Sequence, residues 1–178
     1  MQMLPESMAR AARLGRMCAV LFLDMDGFKQ VNDTHGHEEG DELLRQFAAR
    51  LLHGIRETDV AARLAGDEFV VVLDMVNDLG EAEDKAAFLL SQLARPFRLA
   101  SGSVSVGASI GLALQLPHEL QDPTRLLARA DQAMYEAKRK ARAASRSRLP
   151  WRSARRPQTP QSTSAFWSRA ARSISSSG

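Results

Sequence analysis

Two pairs of acidic residues in the first half of the sequence could bind a metal ion. Asp24 and Asp26 end a short apolar run, and Asp67 and Glu68 follow Gly66 between two β-rich segments. Either pair alone is typical of a solvated strand end or turn tip. Several carboxylates brought together, however, repel one another unless a cation lies among them. Mg²⁺ takes one or two carboxylates together with phosphate oxygens, so converging pairs would predict a site for magnesium and a nucleotide triphosphate.

Two glycines beside these acids suit phosphate binding. Gly27 follows Asp26 directly, before a helical turn whose backbone N–H groups can face an anion. Gly66 permits the positive φ of a tight turn and lets a phosphate approach the backbone. Neither glycine is specific by itself, but each lies next to one of the acidic pairs.

The hydrophobic pattern predicts elements that would bring the two acidic pairs together. We predict a buried strand over residues 18–24, a helix over 41–53, a hairpin over 60–74, a helix over 81–95, a strand over 103–114 and a helix over 124–141. Helices between strands imply a sheet with one covered face, which is typical of an α+β fold with a ferredoxin-like core. In that topology the first strand and the hairpin can be neighbours in a central antiparallel sheet, so their acidic ends would converge.

The charge distribution separates the end of the chain from the rest. Residues 1–137 carry a net charge of −8, and residues 138–178 carry +11. We predict an N-terminal extension over residues 1–13, one folded domain over 14–148 and a disordered, basic, Ser/Arg/Pro-rich tail over 149–178. We expect no nucleic-acid partner, although a basic tail leaves contact with nucleic acid or an anionic membrane surface open.

Several function classes are disfavoured by composition. Cys18 is the single cysteine, so there is no internal disulfide framework, and no Cys/His spacing suggests a zinc site. Residues 1–17 lack the apolar stretch of a signal peptide, and no segment approaches the roughly 18 apolar residues of a membrane span. We therefore expect a cytoplasmic domain.

Three segments of the sequence match one known family in order and spacing. They are LFLDMDGFKQVNDTHGHEEGDELL, RLAGDEFVVVL and ADQAMYEAKRK, and together they lie within residues 14–145. Over this range the chain resembles the GGDEF family of diguanylate cyclase domains. The resemblance implies a nucleotide-cyclase-like fold, a central antiparallel sheet with helices on its faces. It also implies condensation of two GTP molecules into cyclic di-GMP and pyrophosphate, at the interface of a homodimer and with Mg²⁺, or Mn²⁺, as cofactor.

The resemblance assigns the metal and catalytic roles to the two acidic pairs. Asp24, with the Met25 carbonyl beside it, corresponds to a metal ligand. Asp67 corresponds to a second metal ligand and to the candidate base for the 3′-hydroxyl of GTP. Glu68 corresponds to the next signature position, close to the metals, so Asp67 and Glu68 form the predicted catalytic pair.

The resemblance also assigns residues to the substrate. Asn32 and Asp41 correspond to positions that recognise guanine, because an amide and a carboxylate can satisfy the polar edge of that base. The residues assigned to the phosphates are Phe28, Lys29, Gly66 and Lys138, together with Arg142, or Arg146 if a short insertion is present.

A short motif before the hairpin resembles a product-inhibition site. Arg56-Glu57-Thr58-Asp59 matches the RxxD pattern of that site, five residues before the signature loop. An arginine fork suits bidentate contact with guanine or phosphate. The alternative for Arg56 and Asp59 is an ordinary surface ion pair.

One departure from the family pattern bears on activity. Ala65 lies where the family has its first signature glycine. If that position requires a positive φ or close contact with the substrate, a Cβ there would cost about 1–2 kcal/mol. Ala65 and the short segment before the first strand favour a second hypothesis, a catalytically degenerate domain that binds GTP or cyclic di-GMP as a sensor or scaffold. A third hypothesis is a different nucleotide cyclase or polymerase-like domain on the same fold. Asn32 and Asp41 count against a preference of such a domain for adenine.

Overall fold

The computed structural model describes residues 3–119 and 121–146, and the predicted tail over 149–178 lies outside them. The helices are α1 (Met3–Arg13), α2 (Phe28–His35), α3 (His37–Gly54), α4 (Leu79–Leu93) and α5 (Pro123–Arg146). The strands are β1 (Met17–Asp26), β2 (Val60–Ala65), β3 (Glu68–Val76), β4 (Phe97–Leu99), β5 (Gly102–Val104) and β6 (Gly107–Gln115). The predicted α+β fold class is confirmed.

The main sheet has four antiparallel strands in the order β2-β3-β1-β6. β1 lies in the interior of this sheet, paired with β3 on one side and with β6 on the other. Its residues 18–23 are all buried, which explains the unbroken apolar run of this strand. The hairpin β2–β3, predicted from its two β-rich segments, is therefore the neighbour of the first strand, as the topology required.

Alternation along β1 divides the core into two layers. Leu21 and Leu23 belong to a cluster with residues of α3 and α4, whereas Val20 and Phe22 belong to a cluster with residues of α1 and α5. Successive side chains of a strand point to opposite faces, so each face of the sheet is covered by helices. The order of elements alone had indicated one covered face.

Two connections differ from those expected from the sequence. The helix expected over residues 41–53 begins earlier, at His37, because only Gly36, with φ of 88°, separates it from α2. The strand expected over residues 103–114 is divided. Its first part, Gly102–Val104, pairs with β4 in a separate two-stranded sheet, and Gly107–Gln115 joins the main sheet.

The segment predicted as an N-terminal extension forms helix α1, which packs against the sheet. Met8 and Ala11 are buried in the α1–α5 layer. Arg10 forms an ion pair with Asp74 of β3, with 3.1 Å between Nε and Oδ2. The Asp74 side chain is fully buried, and such a carboxylate is stable in its charged form only beside a cation. Burial raises the pKa of the neighbouring Cys18 thiol to about 12, and the Asp74 carboxylate adds to the shift.

None of the helices within residues 3–119 and 121–146 has the length and hydropathy needed to cross a bilayer.

Helix α5 lies unusually close to β6. A Cβ atom added to Gly111 would lie 2.1 Å from both the Ala130 carbonyl oxygen and the Met134 backbone nitrogen. The closeness of these two backbones depends on the absence of a side chain at Gly111.

We therefore expect Gly111→Ala to destabilise the fold. Overpacking of a core typically costs about 1–3 kcal/mol, which corresponds to a fall of about 5 °C or more in Tm for a domain of this size. Gly80→Ala is the matched control, because a Cβ there would meet one side-chain atom, Asp78 Oδ1 at 3.2 Å, and no backbone atom within 4 Å outside the neighbouring residues. Thermal unfolding of both variants decides the matter, and equal Tm values would contradict the close approach of α5 and β6.

Candidate active site

The register of the sheet brings the two acidic pairs together. Asp24 of β1 is paired with Glu68 at the start of β3, and the Met25 N–H donates to the Asp67 carbonyl oxygen at 3.1 Å. Residues paired across antiparallel strands point to the same face. Asp24, Asp26 and Glu68 therefore share the face covered by α5, whereas the Met25 side chain points into the opposite layer.

The turn between β2 and β3 places Asp67 at the tip of the hairpin. Gly66 adopts a positive φ of 50°, as the tight turn requires, and its carbonyl oxygen accepts a hydrogen bond from Arg63 Nε at 2.8 Å. Arg63 thus holds the turn, a role not foreseen from the sequence. Ala65 is exposed and has no positive φ, since Met75 is the one non-glycine residue with positive φ in the described part of the chain. The backbone strain considered for Ala65 is therefore absent.

Helix α5 places an ammonium group beside the acidic residues. Lys138 Nζ donates to Asp24 Oδ1 and lies 3.7 Å from Asp26 Oδ1. The other Asp26 oxygen, Oδ2, accepts a hydrogen bond from Ser109 Oγ of β6 at 3.1 Å. Arg142 and Arg146 follow on the same helix, but their side chains lie outside the part of the chain that the structure describes.

The chemistry of the donors suits magnesium. Asp24, Asp67 and Glu68 offer carboxylate oxygens, the donors that a hard cation prefers. Within residues 3–119 and 121–146, no group of three or more His, Cys, Asp or Glu side chains is arranged to enclose a metal ion. The residues therefore fit Mg²⁺ that completes its coordination with water and phosphate, and they do not fit a closed structural metal site.

The corner between α2 and α3 brings the two predicted guanine-recognising residues together. Gly27, with φ of 86°, precedes α2, and Gly36 turns the chain directly into α3. A Cβ atom added to Gly40 would lie 1.8 Å from Asn32 Oδ1, so the Asn32 amide rests against the α3 backbone. Asp41, the next residue, is exposed.

A groove of about 480 Å³ opens between α3 and the edge strand β2, beside Asp41. A volume of this size suits a small-molecule site. The lining is largely apolar with a few polar groups, and it comprises Asp41, Leu44, Arg45, Ala48, Leu51, Leu52, Ala61, Ala62, Arg63 and Phe69. Asp41 therefore borders a space that an apolar-faced ring could enter.

Phe28 and Lys29, which are predicted to contact the phosphates, lie at the start of α2. Phe28 is partly buried and packs against the core, whereas Lys29 is exposed. Because Gly27 immediately precedes α2, the helix begins next to Asp26 and its first N–H groups face the same end of the sheet.

A contact from the small β4–β5 sheet holds the α2–α3 corner, and the sequence did not reveal it. Ser101 Oγ lies 3.1 Å from His35 Nδ1, and the Ser101 N–H donates to Glu39 Oε1 at 3.0 Å. These residues are 62 and 66 positions apart in the chain, so no local pattern could have indicated the contact. The contact joins the β4–β5 sheet to both α2 and α3, the helices of the corner that carries Asn32.

The aspartate of the RxxD motif, Asp59, has a structural role. Asp59 is buried, and its Oδ2 accepts from the Arg56 N–H at 2.9 Å while its Oδ1 accepts from the Asp74 N–H at 3.0 Å. The Arg56 guanidinium is more exposed and forms an ion pair with Glu81 at 2.7 Å. A backbone hydrogen bond from Asn77 and the Arg56 guanidinium both lower the pKa of Glu81. Of the two residues that define the motif, Arg56 is thus exposed and Asp59 is buried.

Comparison with protein families finds one match over most of the chain. A family described as "Diguanylate cyclase, GGDEF domain" matches residues 1–144. The match begins before residue 14, the domain start predicted from the sequence, and it includes α1.

Individual relatives show the same relationship. Bifunctional diguanylate cyclase/cyclic di-GMP phosphodiesterase MucR of Pseudomonas aeruginosa is 40% identical over 139 residues, which cover 78% of this chain and 20% of MucR. Diguanylate cyclase TpbB of the same species is 44% identical over 129 residues, covering 72% of this chain and 29% of TpbB. The chain thus spans less than a third of either relative. The crystal structure of the TpbB GGDEF domain superposes with a TM-score of 0.74 at 39% identity, covering 78% of this chain and 86% of that one.

The contact between Gly40 and Asn32 makes a specific prediction. If Asn32 recognises guanine as predicted, we expect Gly40→Ala to weaken GTP binding about tenfold, because the new Cβ must displace the Asn32 amide. Stability should be unchanged or higher, since alanine favours a helix more than glycine. Calorimetry with GTP measures the effect. In an Asn32→Ala background Gly40→Ala should cause no further loss, and a full additional loss there would show that Gly40 does not act through Asn32.

Proposed function

The chain belongs to the GGDEF family of diguanylate cyclase domains, and from that membership we propose that it condenses two GTP molecules into cyclic di-GMP with release of pyrophosphate. The observation that carries the proposal is the cross-strand pairing of Asp24 with Glu68 beneath Lys138. This pairing gathers carboxylates and the Lys138 ammonium group at one end of the sheet, which supports a site for a metal ion and phosphates there.

Guanine recognition is assigned to Asn32 and Asp41. The Asp41 carboxylate can accept hydrogen bonds from N1–H and the 2-amino group of guanine. The Asn32 amide NH₂ can donate to acceptor atoms on the edge of the base. Both residues lie at the α2–α3 corner, and Asp41 borders the groove between α3 and β2. A carboxylate acceptor at Asp41 would favour guanine over adenine, since adenine offers no N1–H donor.

The triphosphate would extend from this corner toward the acidic residues. Gly27 and the first turn of α2, with Phe28 and Lys29, lie along that path, and Gly66 and Lys138 lie at its end. Asp24, Glu68 and the Met25 carbonyl would hold Mg²⁺, or Mn²⁺ in its place, and the ion would neutralise the phosphate charge. Arg142 or Arg146 on α5 would add a further positive charge.

The chemical step requires a base and a second substrate. Asp67 at the hairpin tip would accept the proton of a GTP 3′-hydroxyl, with Glu68 beside it at the metal site. The oxygen then bonds to the α-phosphorus of the other GTP, and the bond between that phosphorus and the leaving pyrophosphate breaks. Because each domain offers one guanine site and one acidic cluster, we propose that two copies face each other and that a monomer is inactive.

The second hypothesis, a degenerate domain that binds nucleotide without turnover, had its main support in Ala65. That residue is exposed and free of positive φ, which leaves contact of its Cβ with the substrate as the remaining ground for lower activity. The retained acids Asp24, Asp67 and Glu68, with Lys138, count against degeneracy. We therefore favour the active enzyme, with the degenerate domain as the outcome if no product forms.

The decisive test is incubation of the protein with GTP and Mg²⁺, followed by chromatography of the products. We expect cyclic di-GMP from the wild type and a loss of at least about 100-fold in Asp67→Ala, since the general base typically contributes that much. Asp131→Ala, which removes an exposed acid of α5, should retain full activity. Full activity in Asp67→Ala would contradict the assignment of the base.

Feedback by the product is tested at Arg56. If Arg56 binds cyclic di-GMP, Arg56→Ala should weaken product binding about 30-fold, the equivalent of ~2 kcal/mol for a lost charge-assisted contact. Glu81→Gln is the control, because it removes the competing ion pair and should leave binding equal or stronger. Calorimetry with cyclic di-GMP measures all three proteins. Equal affinity of Arg56→Ala and the wild type would reduce the motif to a structural turn with a surface ion pair.

A further inference from the structure

The acidic cluster contains a cation of its own, the ammonium group of Lys138. Lys138 Nζ contacts Asp24 Oδ1 and lies 3.7 Å from Asp26 Oδ1. Only 18% of the Lys138 side chain and 14% of the Asp24 side chain is exposed. Water and salt therefore screen this pair less than an ordinary surface ion pair.

Asp24 is also the carboxylate to which the proposed function assigns a divalent cation. An ammonium group and a divalent cation on one carboxylate would lie within a few ångströms of each other and repel strongly. The two cations therefore compete for Asp24, and binding of either one weakens the hold of this carboxylate on the other.

We propose that Lys138 is the resting counter-ion of Asp24 and that it changes partner to Asp26 when a divalent cation binds. The proposal rests on the proposed function for the identity of the cation site. In the resting state the ammonium group offsets the repulsion between neighbouring carboxylates. After the exchange Lys138 remains at the site, paired with Asp26, with its ammonium group beside the position of the phosphates.

Asp26 is oriented for this second partnership. Ser109 donates to Oδ2 at 3.1 Å, which leaves Oδ1 as the oxygen nearest Lys138. Gly107 lies opposite Asp26 in β6, and a Cβ there would come within 3.2 Å of the same Oδ2, so glycine leaves the space that this carboxylate occupies. Asp26 and Ser109 are therefore positioning residues, since they act through Lys138.

Binding of Mn²⁺ alone, without nucleotide, tests the exchange on the full chain. Electron paramagnetic resonance of free Mn²⁺ gives the affinity of each protein. We expect Lys138→Met to bind Mn²⁺ about tenfold more tightly than the wild type, because the competing cation is gone. Arg139→Met removes the same charge from the next, exposed position of α5 and should change the affinity by no more than about twofold at moderate salt. Equal or weaker binding by Lys138→Met would overturn the proposal, as would the failure of both proteins to bind Mn²⁺.

The role of Asp26 is tested by a double-mutant cycle. With Lys138 present, Asp26→Asn should weaken Mn²⁺ binding, because the ammonium group then has only Asp24 as partner. In the Lys138→Met background the same substitution should have an effect smaller by at least about threefold, since Asp26 acts through Lys138. Equal effects in both backgrounds would mean that Asp26 attracts the cation directly, which would overturn the second partnership.

These measurements are independent of turnover. If the wild type forms no cyclic di-GMP, the proposed reaction fails while the Mn²⁺ affinities still decide the exchange. If product forms but Lys138→Met gains no Mn²⁺ affinity, the reaction stands and the exchange fails. Circular dichroism on each variant establishes that the fold is retained.

Discussion

The pairing of β1 with β3 is the constraint on which the rest of the site depends. It sets Asp24 opposite Glu68, and on the other side of β1 it leaves Asp24 opposite Ser109 of β6. A slip of one residue would turn the acidic side chains toward the layer of α3 and α4 and expose apolar ones to α5. Such a slip would also require every side chain of β1 to repack in the opposite layer, so the register that builds the core also places the predicted catalytic acids.

The end of β1 shows how one strand serves both purposes. Met25 continues the alternation into the buried layer, whereas Asp24 and Asp26 continue it on the α5 face, beyond the last apolar residue. Carboxylates that share one face of a strand repel each other, and the ammonium group of Lys138 from α5 offsets this repulsion. Gly111 allows α5 to lie close enough to the sheet for that contact. The position of the lysine therefore follows from a packing feature more than twenty residues away in the chain.

Local signals made most of the elements and the acidic site predictable. The apolar run of β1, the Gly66–Asp67 turn and the stripe of α5 each occupy a short window, and the structure has all three. What could not be predicted depends on contacts that are distant in sequence. β4 and β5 have three residues each, too few for a pattern, and the contact of Ser101 with His35 joins elements that no window contains. The hydrogen bond from Arg63 to the Gly66 carbonyl oxygen likewise depends on the shape of the turn, which the sequence pattern does not reveal.

The RxxD motif illustrates why a sequence match and a functional role differ. Both oxygens of Asp59 accept backbone N–H groups, one from Arg56 and one from Asp74, and Asp74 in turn is held by Arg10 of α1. Asp59 therefore ties the loop before β2 to β3 and, through Asp74, to the first helix, whether or not a product molecule is present. A substitution there would disturb a buried network as well as any ligand contact. Arg56 is joined to this network through its backbone N–H, and its guanidinium pairs with Glu81. Of Arg56 and Asp59, Arg56 is therefore the residue whose substitution tests product binding while the buried network stays in place.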